Sequence, residues 1–382
     1  MDILVVCHYG LYQDLNASFV HNQVREYVRL GHRVRVIIPI GVGKQDGAGR
    51  RLAPLLDRCE ADGVELYYLR YVTLSHWGER GLNTASACSA VKAGWKRLFS
   101  DFQPQVIHAH TLGFDSQIGA WLKKRLHCPL VVTTHGSDAA IPLEQGRTDA
   151  VRSWCDQADT VVCVSGALAN KLRACGTETP IQVVLNGYQP RHLASGGERE
   201  PLSWIQVGHL QHQKRFSVTI RAFADFYSRH PGARLTIIGQ GPERPALEKL
   251  CRQLGAADGV CFLGQIPNED VLAEMAKARF YVMPSVREGF GIVYLEAMAS
   301  GCITIGTQGE GIADLIESGV NGFLVPPDDP ETIVRVIERC LADPALRETV
   351  ACRGRDDARS LTWVHNARQY VALFESLVSE VN

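Results

Sequence analysis

A chain of 382 residues has room for two or three domains, and its 40 Lys plus Arg against 41 Asp plus Glu leave no charge excess to grip a nucleic acid. No unbroken apolar run is as long as a membrane span, and Met1-Asp2-Ile3-Leu4 reads as the start of a strand, not a signal peptide. The 12 cysteines contain no Cys-X-X-Cys pair, and Cys7, Cys163 and Cys261 sit in apolar strand-like runs. Reduced, buried thiols in a cytoplasmic protein are expected, with no disulfide framework and no zinc site.

In chain order, residues 3–7 read as a buried strand, 19–30 as a helix closed by Gly31, and 34–40 as the next strand. Residues 41–63, rich in glycine and charge, read as a loop with little structure of its own. A strand follows at 64–69. An amphipathic helix is predicted over 84–102, with Cys88, Val91, Trp95, Leu98, Phe99 and Phe102 at helical spacing. Strands at 106–109, 130–134, 161–164 and 181–185 alternate with helical segments. Residues 187–201 carry Pro190, Ser195, Gly196, Gly197 and Pro201 among charges, which is linker composition. The alternation then restarts, with strands at 204–207, 235–238, 260–263, 280–283 and 302–305, and helices from Pro330 to the end.

Short apolar strands alternating with helices imply parallel sheets covered on both faces. The reading is α/β, with two Rossmann-like doubly wound parallel-sheet domains facing a cleft. The first spans 1–190 and the second 201–361, and a helix over 362–382 packs back towards the first. Ligands of open α/β sheets bind beyond the carboxyl ends of the strands. That rule selects the loops at His8-Tyr9-Gly10, Thr134-His135-Gly136-Ser137-Asp138, Gly208-His209-Leu210, Gly239-Gln240-Gly241 and the turn at Glu288.

Residues 283–301, MPSVREGFGIVYLEAMASG, are the most informative stretch. A buried strand ends at Pro284-Ser285, and Gly289 and Gly291 let the following turn approach a ligand closely. A helix apolar on every side then starts near Phe290 and stops at Gly301, with Glu296 in its middle. A buried carboxylate needs hydrogen-bond donors, so Glu296 is either anchored by the protein or holds a polyol. Glu288 lies where a ligand of the helix N-terminus would sit, and free N–H groups there suit phosphate and polar oxygens. Spacing alone leaves open a bland reading, with Glu288 as a cap and Glu296 bonded structurally.

These loops resemble those of the retaining nucleotide-sugar glycosyltransferases of the GT-B fold, glycosyltransferase family 4, over nearly the whole chain. Glu288 and Glu296 match the family's Glu-X7-Glu signature, and the surrounding proline, glycines, aromatic and small residues match as well. Gly208-His209-Leu210 with Lys214 is similar to its Gly-Arg-Leu…Lys element, and Gly239-Gln240-Gly241 to its Gly-X-Gly. Asn321-Gly322-Phe323-Leu324-Val325 resembles its late Asn-Gly strand entry. In the first half, His135-Gly136-Ser137-Asp138, Asn186-Gly187 and Gly10 stand where the family has a histidine loop, an Asn-Gly and loop glycines. Four positions depart from the pattern: His209 replaces an arginine, Arg215 replaces a glycine, and Glu310 and Asp314 stand where Gly and Glu are commoner.

The resemblance implies transfer of a hexose or N-acetylhexosamine from a UDP-linked sugar to a glycan or lipid-linked acceptor in surface polysaccharide synthesis. The anomeric configuration would be retained by front-side displacement, the leaving phosphate taking the acceptor's proton. It implies His135, Lys214 and Glu288 as catalytic, with His135 orienting the donor sugar. The donor would be bound by Gly10, Gly208, His209, Lys214, Arg215, Gly239, Gly241, Ile266, Glu288, Gly289, Phe290, Gly291, Ile292 and Glu296. Glu288 would hold sugar hydroxyls and Glu296 the ribose. His8, Asn16 and Asp138 are the acceptor-side candidates.

The chain has no Asp-X-Asp, so no cofactor and no obligatory metal are expected. Lys92, Lys96 and Arg97 beside Trp95 and Phe99, with Lys123-Lys124-Arg125, suggest peripheral contact with the inner membrane surface, although solvated helix faces explain them equally well. A nicotinamide oxidoreductase is disfavoured, because neither Gly10 nor Gly239-Gln240-Gly241 continues as Gly-X-Gly-X-X-Gly. A nucleotide-sugar epimerase and a non-catalytic nucleotide-sugar-binding protein remain as alternatives.

Overall fold

The computed structural model describes residues 1–8, 18–42, 56–73, 80–189 and 199–381. It divides into two compact units, Met1–Leu185 with Trp363–Asn382, and Asn186–Thr362.

The first unit is built on eight strands: β1 Asp2–Val6, β2 Arg33–Val42, β3 Leu56–Ala61, β4 Val64–Val72, β5 Val106–Ala109, β6 Leu130–Thr134, β7 Thr160–Cys163 and β8 Ile181–Val183. Their order is β3-β4-β2-β1-β5-β6-β7-β8, parallel except for the β3–β4 pair. Helix 18–29 lays Val20, Val24 and Tyr27 on Ile3, Val5 and Val36 of the sheet, and the last helix adds Ala367, Tyr370 and Phe374 to that core. Each large apolar side chain removed from water there contributes about 1.5–3 kcal/mol. Polar bonds fix the last helix: Thr133 Oγ1 meets Tyr370 OH at 2.9 Å, and Gln23 donates to Asn366 at 2.7 Å.

The second unit holds β9 Ser203–Val207, β10 Arg234–Ile238, β11 Val260–Gly264, β12 Phe280–Val282, β13 Ile303–Thr307 and β14 Phe323–Val325. All are parallel, in the order β11-β10-β9-β12-β13-β14. Numbered within the unit, this is the doubly wound order 3-2-1-4-5-6, whose switch point lies between the first and fourth strands. Trp204, Phe223, Phe226 and Phe280 fill its core with Ile333 and Ile337 of helix 330–342. That helix starts where proline and a cap residue predict, with Pro330 in its first turn and Asp329 accepting the Thr332 N–H at 2.9 Å.

Four expectations are corrected. The stretch 41–63 is not all loop: β2 runs to Val42, and β3 pairs with β4 through Asp62-Gly63. Both turn residues have positive φ, 53° and 77°, as a two-residue hairpin turn requires. The helix expected over 84–102 is two, Arg80–Ala93 and Trp95–Phe99, broken at Gly94. Cys261 is exposed, because β11 is an edge strand. The end of the expected linker is anchored, since the Arg199 guanidinium donates to the Met275 carbonyl at 3.1 Å and to that of Ala278 at 2.5 Å.

Candidate functional site

In the second unit the loops leaving β9, β10, β12 and β13 converge on one turn. β9 and β12 are sheet neighbours at the switch point, so their exits open side by side. The β9 exit carries Gly208, His209 and Leu210. Gly239, after β10, has φ 137°, and a Cβ there would stand 1.9 Å from the Gly208 carbonyl oxygen. A Cβ on Gly241 would meet the Leu210 oxygen at 2.4 Å. The two loops touch backbone to backbone, which only glycine permits. Leu210 N–H donates to the Gln240 carbonyl at 2.9 Å, and His209 Nδ1 bonds the same oxygen.

Lys214 does not open the following helix directly. It ends a single tight turn, His212–Lys214, and Arg215, at φ 53°, leads into helix 216–229. Gln206, buried on β9, donates to the Lys214 carbonyl at 2.8 Å and fixes the start of its side chain. The Lys214 ammonium bonds Glu288 Oε2, the two side chains being only 19% and 17% exposed. Arg215 turns elsewhere, pairing with Asp328 at 3.1 Å and lying against His212.

The β12 exit is held rigidly. Tyr294 OH donates to the Met283 carbonyl at 2.5 Å and lies 3.0 Å from Ser285 Oγ, while the Val286 N–H donates to Gln213 at 2.8 Å. Burial, reinforced by the nearby Glu288 and Glu310 carboxylates, keeps the Tyr294 phenol protonated. The helix runs Ile292–Ala299, two residues later than predicted, after Gly291 at φ 79°. Its first N–H groups, beyond reach of any i−4 carbonyl, follow Gly289, buried Phe290 and Gly291. Glu296 is half-buried, not fully buried, and its Oε1 lies 3.4 Å from Asn268 Nδ2. Ile266, half-buried, stands between β11 and helix 268–277. Asn321 serves the fold: its amide bonds Glu317, Leu315 and Asp357.

In the first unit, the same end of the sheet carries a histidine group that the sequence reading only half identified. His8, after β1, places Nδ1 2.9 Å from Asp115 Oδ2, and Thr111 Oγ1 donates to that oxygen at 2.9 Å. Asp115 is fully buried, and its carboxylate pulls the His8 imidazole above its ordinary value. His135 packs on Phe19 with ring centroids 4.3 Å apart, its Nε2 3.3 Å from His110 Nδ1. Burial pushes the His135 imidazole down to about 3, so at neutral pH it is uncharged and acts by hydrogen bonding. The Asp138 carboxylate is engaged by its own loop and by the β5 exit, accepting from the His135 and Gly136 N–H groups and Thr134 Oγ1 on the first and from the Leu112 N–H on the second, at 2.9–3.0 Å. A cavity of about 730 Å³ in this unit is lined by His8, Tyr71, Thr111, Phe114 and Asp138 among others. Gly10 and Asn16 lie outside the described residues.

Sequence reading missed His110, Thr111 and Asp115. Part of their signal was available, since HAHTLGFD continues past the end of the predicted strand with polar, ionisable residues; that this strand lies beside β1 comes only from the sheet order.

Comparison with known proteins agrees with this architecture. Residues 17–192 match the family description "Glycosyltransferase Family 4", and residues 194–357 match "Glycosyl transferases group 1". A glycosyltransferase of Methanocaldococcus jannaschii is 29% identical over 294 residues, covering 71% of this chain and 75% of its own. A sucrose-phosphate synthase from Thermosynechococcus elongatus superposes with a TM-score of 0.78 at 20% identity, over the full length of both chains. Anabaena HepE in complex with UDP and glucose superposes with a TM-score of 0.75 at 19% identity, over 99% of this chain and 100% of that one.

Proposed function

The chain belongs to glycosyltransferase family 4, with the two Rossmann-like domains of the GT-B fold, and from that premise we propose that it moves a hexose or N-acetylhexosamine from a UDP-sugar to a glycan or lipid-linked acceptor of a surface polysaccharide. The observation that carries the donor side is the Lys214–Glu288 pair at the neighbouring exits of β9 and β12. A cation and a carboxylate beside a glycine turn and a helix N-terminus offer complementary partners to a diphosphate and to sugar hydroxyls. A UDP complex of a structural neighbour, HepE, supports uridine as the base.

As the sugar–phosphate bond breaks, negative charge builds on the leaving diphosphate, and Lys214 with the backbone N–H groups of the turn stabilises it. Glu288 holds the sugar hydroxyls, Glu296 the ribose, and neutral His135 orients the donor sugar. The new bond forms on the face the phosphate leaves, the acceptor proton passes to the departing phosphate oxygen, and configuration is retained. His8, oriented by Asp115 on the wall of the first unit's cavity, serves the acceptor. No obligatory metal takes part.

Nucleotide release from UDP-, GDP- and ADP-sugars with candidate acceptors tests this reading, with NMR assignment of the product anomer. Conversion of the donor to its epimer without transfer would favour the epimerase alternative. The basic-aromatic helices of the first unit, where Arg125 lies 3.8 Å over the Trp121 ring, add a peripheral membrane role. Anionic vesicles should bind the protein weakly at low salt and less at high salt; no flotation at low salt would indicate a soluble acceptor.

A further inference from the structure

Glu310 departs from the family pattern, and it is built into the turn that carries Glu288. Its Oε2 accepts the Glu288 N–H at 2.9 Å, and the next residue, Gly311, donates its N–H to the Glu288 carbonyl at 3.3 Å. Both polar groups of one peptide residue are therefore taken by the β13 exit. The approach is close enough that a Cβ on Gly311 would lie 1.9 Å from the Gly289 oxygen. Two consequences follow. A backbone N–H at the start of the glycine turn already has an anionic partner and is withheld from a ligand oxygen. The turn also holds two carboxylates, Glu288 and Glu310, with the nearest ammonium, Lys214, already bonded to one of them. Arg287, on the same turn, is exposed.

We propose, resting on the donor-site reading above, that Glu310 is a positioning and specificity-determining residue that restricts the donor to sugars without an anionic substituent. Hydroxyl and acetamido groups can donate to the carboxylates of this turn. The carboxylate of a hexuronate cannot; it would face like charge at a site where the first backbone N–H is already engaged. Lys214 offers no compensation, because its charge is needed by the diphosphate of every donor.

The test uses calorimetry on the whole protein with UDP, UDP-glucose and UDP-glucuronate as probes, so no acceptor need be known. Wild type should bind UDP-glucose at least about tenfold more tightly than UDP-glucuronate, as one like charge at intermediate range implies. Glu310→Gln leaves an oxygen for the Glu288 N–H but removes the charge, and should narrow the ratio of the two by about tenfold. Glu310→Ala removes both oxygen and charge; it should weaken UDP-glucose more than Glu310→Gln does, a rescue by the conservative variant that a charge effect alone would not give. The Kd of UDP is the reference that separates a disturbed sugar subsite from a misfolded domain. Equal binding of the two sugars by wild type, or an unchanged ratio in Glu310→Gln, overturns this inference and leaves the donor reading standing. Failure of wild type to bind any of the three probes overturns both.

Discussion

On the role proposed for Lys214, removing it should perturb charge stabilisation and folding at once, and its ion pair with Glu288 gives a way to separate the two. Two unit charges about 4 Å apart attract by about 4 kcal/mol at an effective dielectric of 20, and desolvation cancels most of that in an intact pair. Lys214→Ala strands the Glu288 carboxylate at 17% exposure. Breaking a fully buried pair costs about 3–5 kcal/mol, so partial exposure brings the expected loss of stability to about 2 kcal/mol. Glu288→Gln leaves the ammonium less costly to solvate and should lose about 1 kcal/mol. The double variant strands neither charge, so urea unfolding should show a coupling of about 1–2 kcal/mol between the two sites. Turnover should behave differently. Lys214→Ala should lower kcat by about 10²–10³, as for other groups that stabilise developing charge, and the double variant should recover none of it. Glu288→Gln should act chiefly on kcat, because sugar hydroxyls rearrange as the ring flattens. Recovery of transfer together with stability in the double variant would make the pair a structural clasp. Wild-type kinetics in both single variants would place the site elsewhere.

Glu296→Gln should raise the donor KM with little change in kcat, since the ribose does not react, and a kcat effect alone would refute that role. Transfer should persist in chelator after divalent ions are stripped; loss restored only by Mg²⁺ or Mn²⁺ would show that phosphate charge is met by a metal. Acid should weaken the fold before the carboxylates titrate. Burial holds His108 down to about 3 and moves His110 and His135 the same way, so between pH 6.5 and that value the unfolded chain binds protons that the folded chain refuses. Stability should fall as pH falls, by up to about 1.4 kcal/mol per pH unit for each such histidine. His8, raised by Asp115, contributes stability that is fully present below pH 6.5 and lost only as pH rises, so it does not offset this fall. Urea midpoints at pH 6.5 and 5.0 measure this, and equal midpoints would refute it.

Much of the fold was legible because parallel strands buried on both faces read as short apolar runs, and those at 106–109 and 130–134 coincide with β5 and β6. The edges of the sheets were less legible for the same reason. β3, Leu-Asp-Arg-Cys-Glu-Ala, pairs on one side only and is rich in charge, so it lacks the apolar run that marks a central strand. Its one local signal, the hairpin dipeptide Asp62-Gly63, lay unread inside a stretch that composition assigned to loop. The break at Gly94 has a similar origin: periodicity continues across it, while the one residue without a side chain interrupts the helix.

In the candidate site, the residues that a turn or glycine marks were readable, and their partners were not. Glu288 and Lys214 stand 74 positions apart in sequence and meet because β9 and β12 are neighbours across the switch point. Nothing local to either residue predicts that pairing; strand order does. Asp115 is the same case in the first unit, 107 positions from His8 and brought to it by the β1–β5 pairing. Glu310 shows the remaining difficulty. As a sequence feature it is a departure from a pattern, which marks a place without assigning a role. Only the hydrogen bond to the Glu288 N–H shows that the added carboxylate acts on the turn itself. A residue that binds through another's backbone leaves no spacing rule behind, so such partners are found from strand neighbours and then tested by charge-only substitutions such as Glu310→Gln.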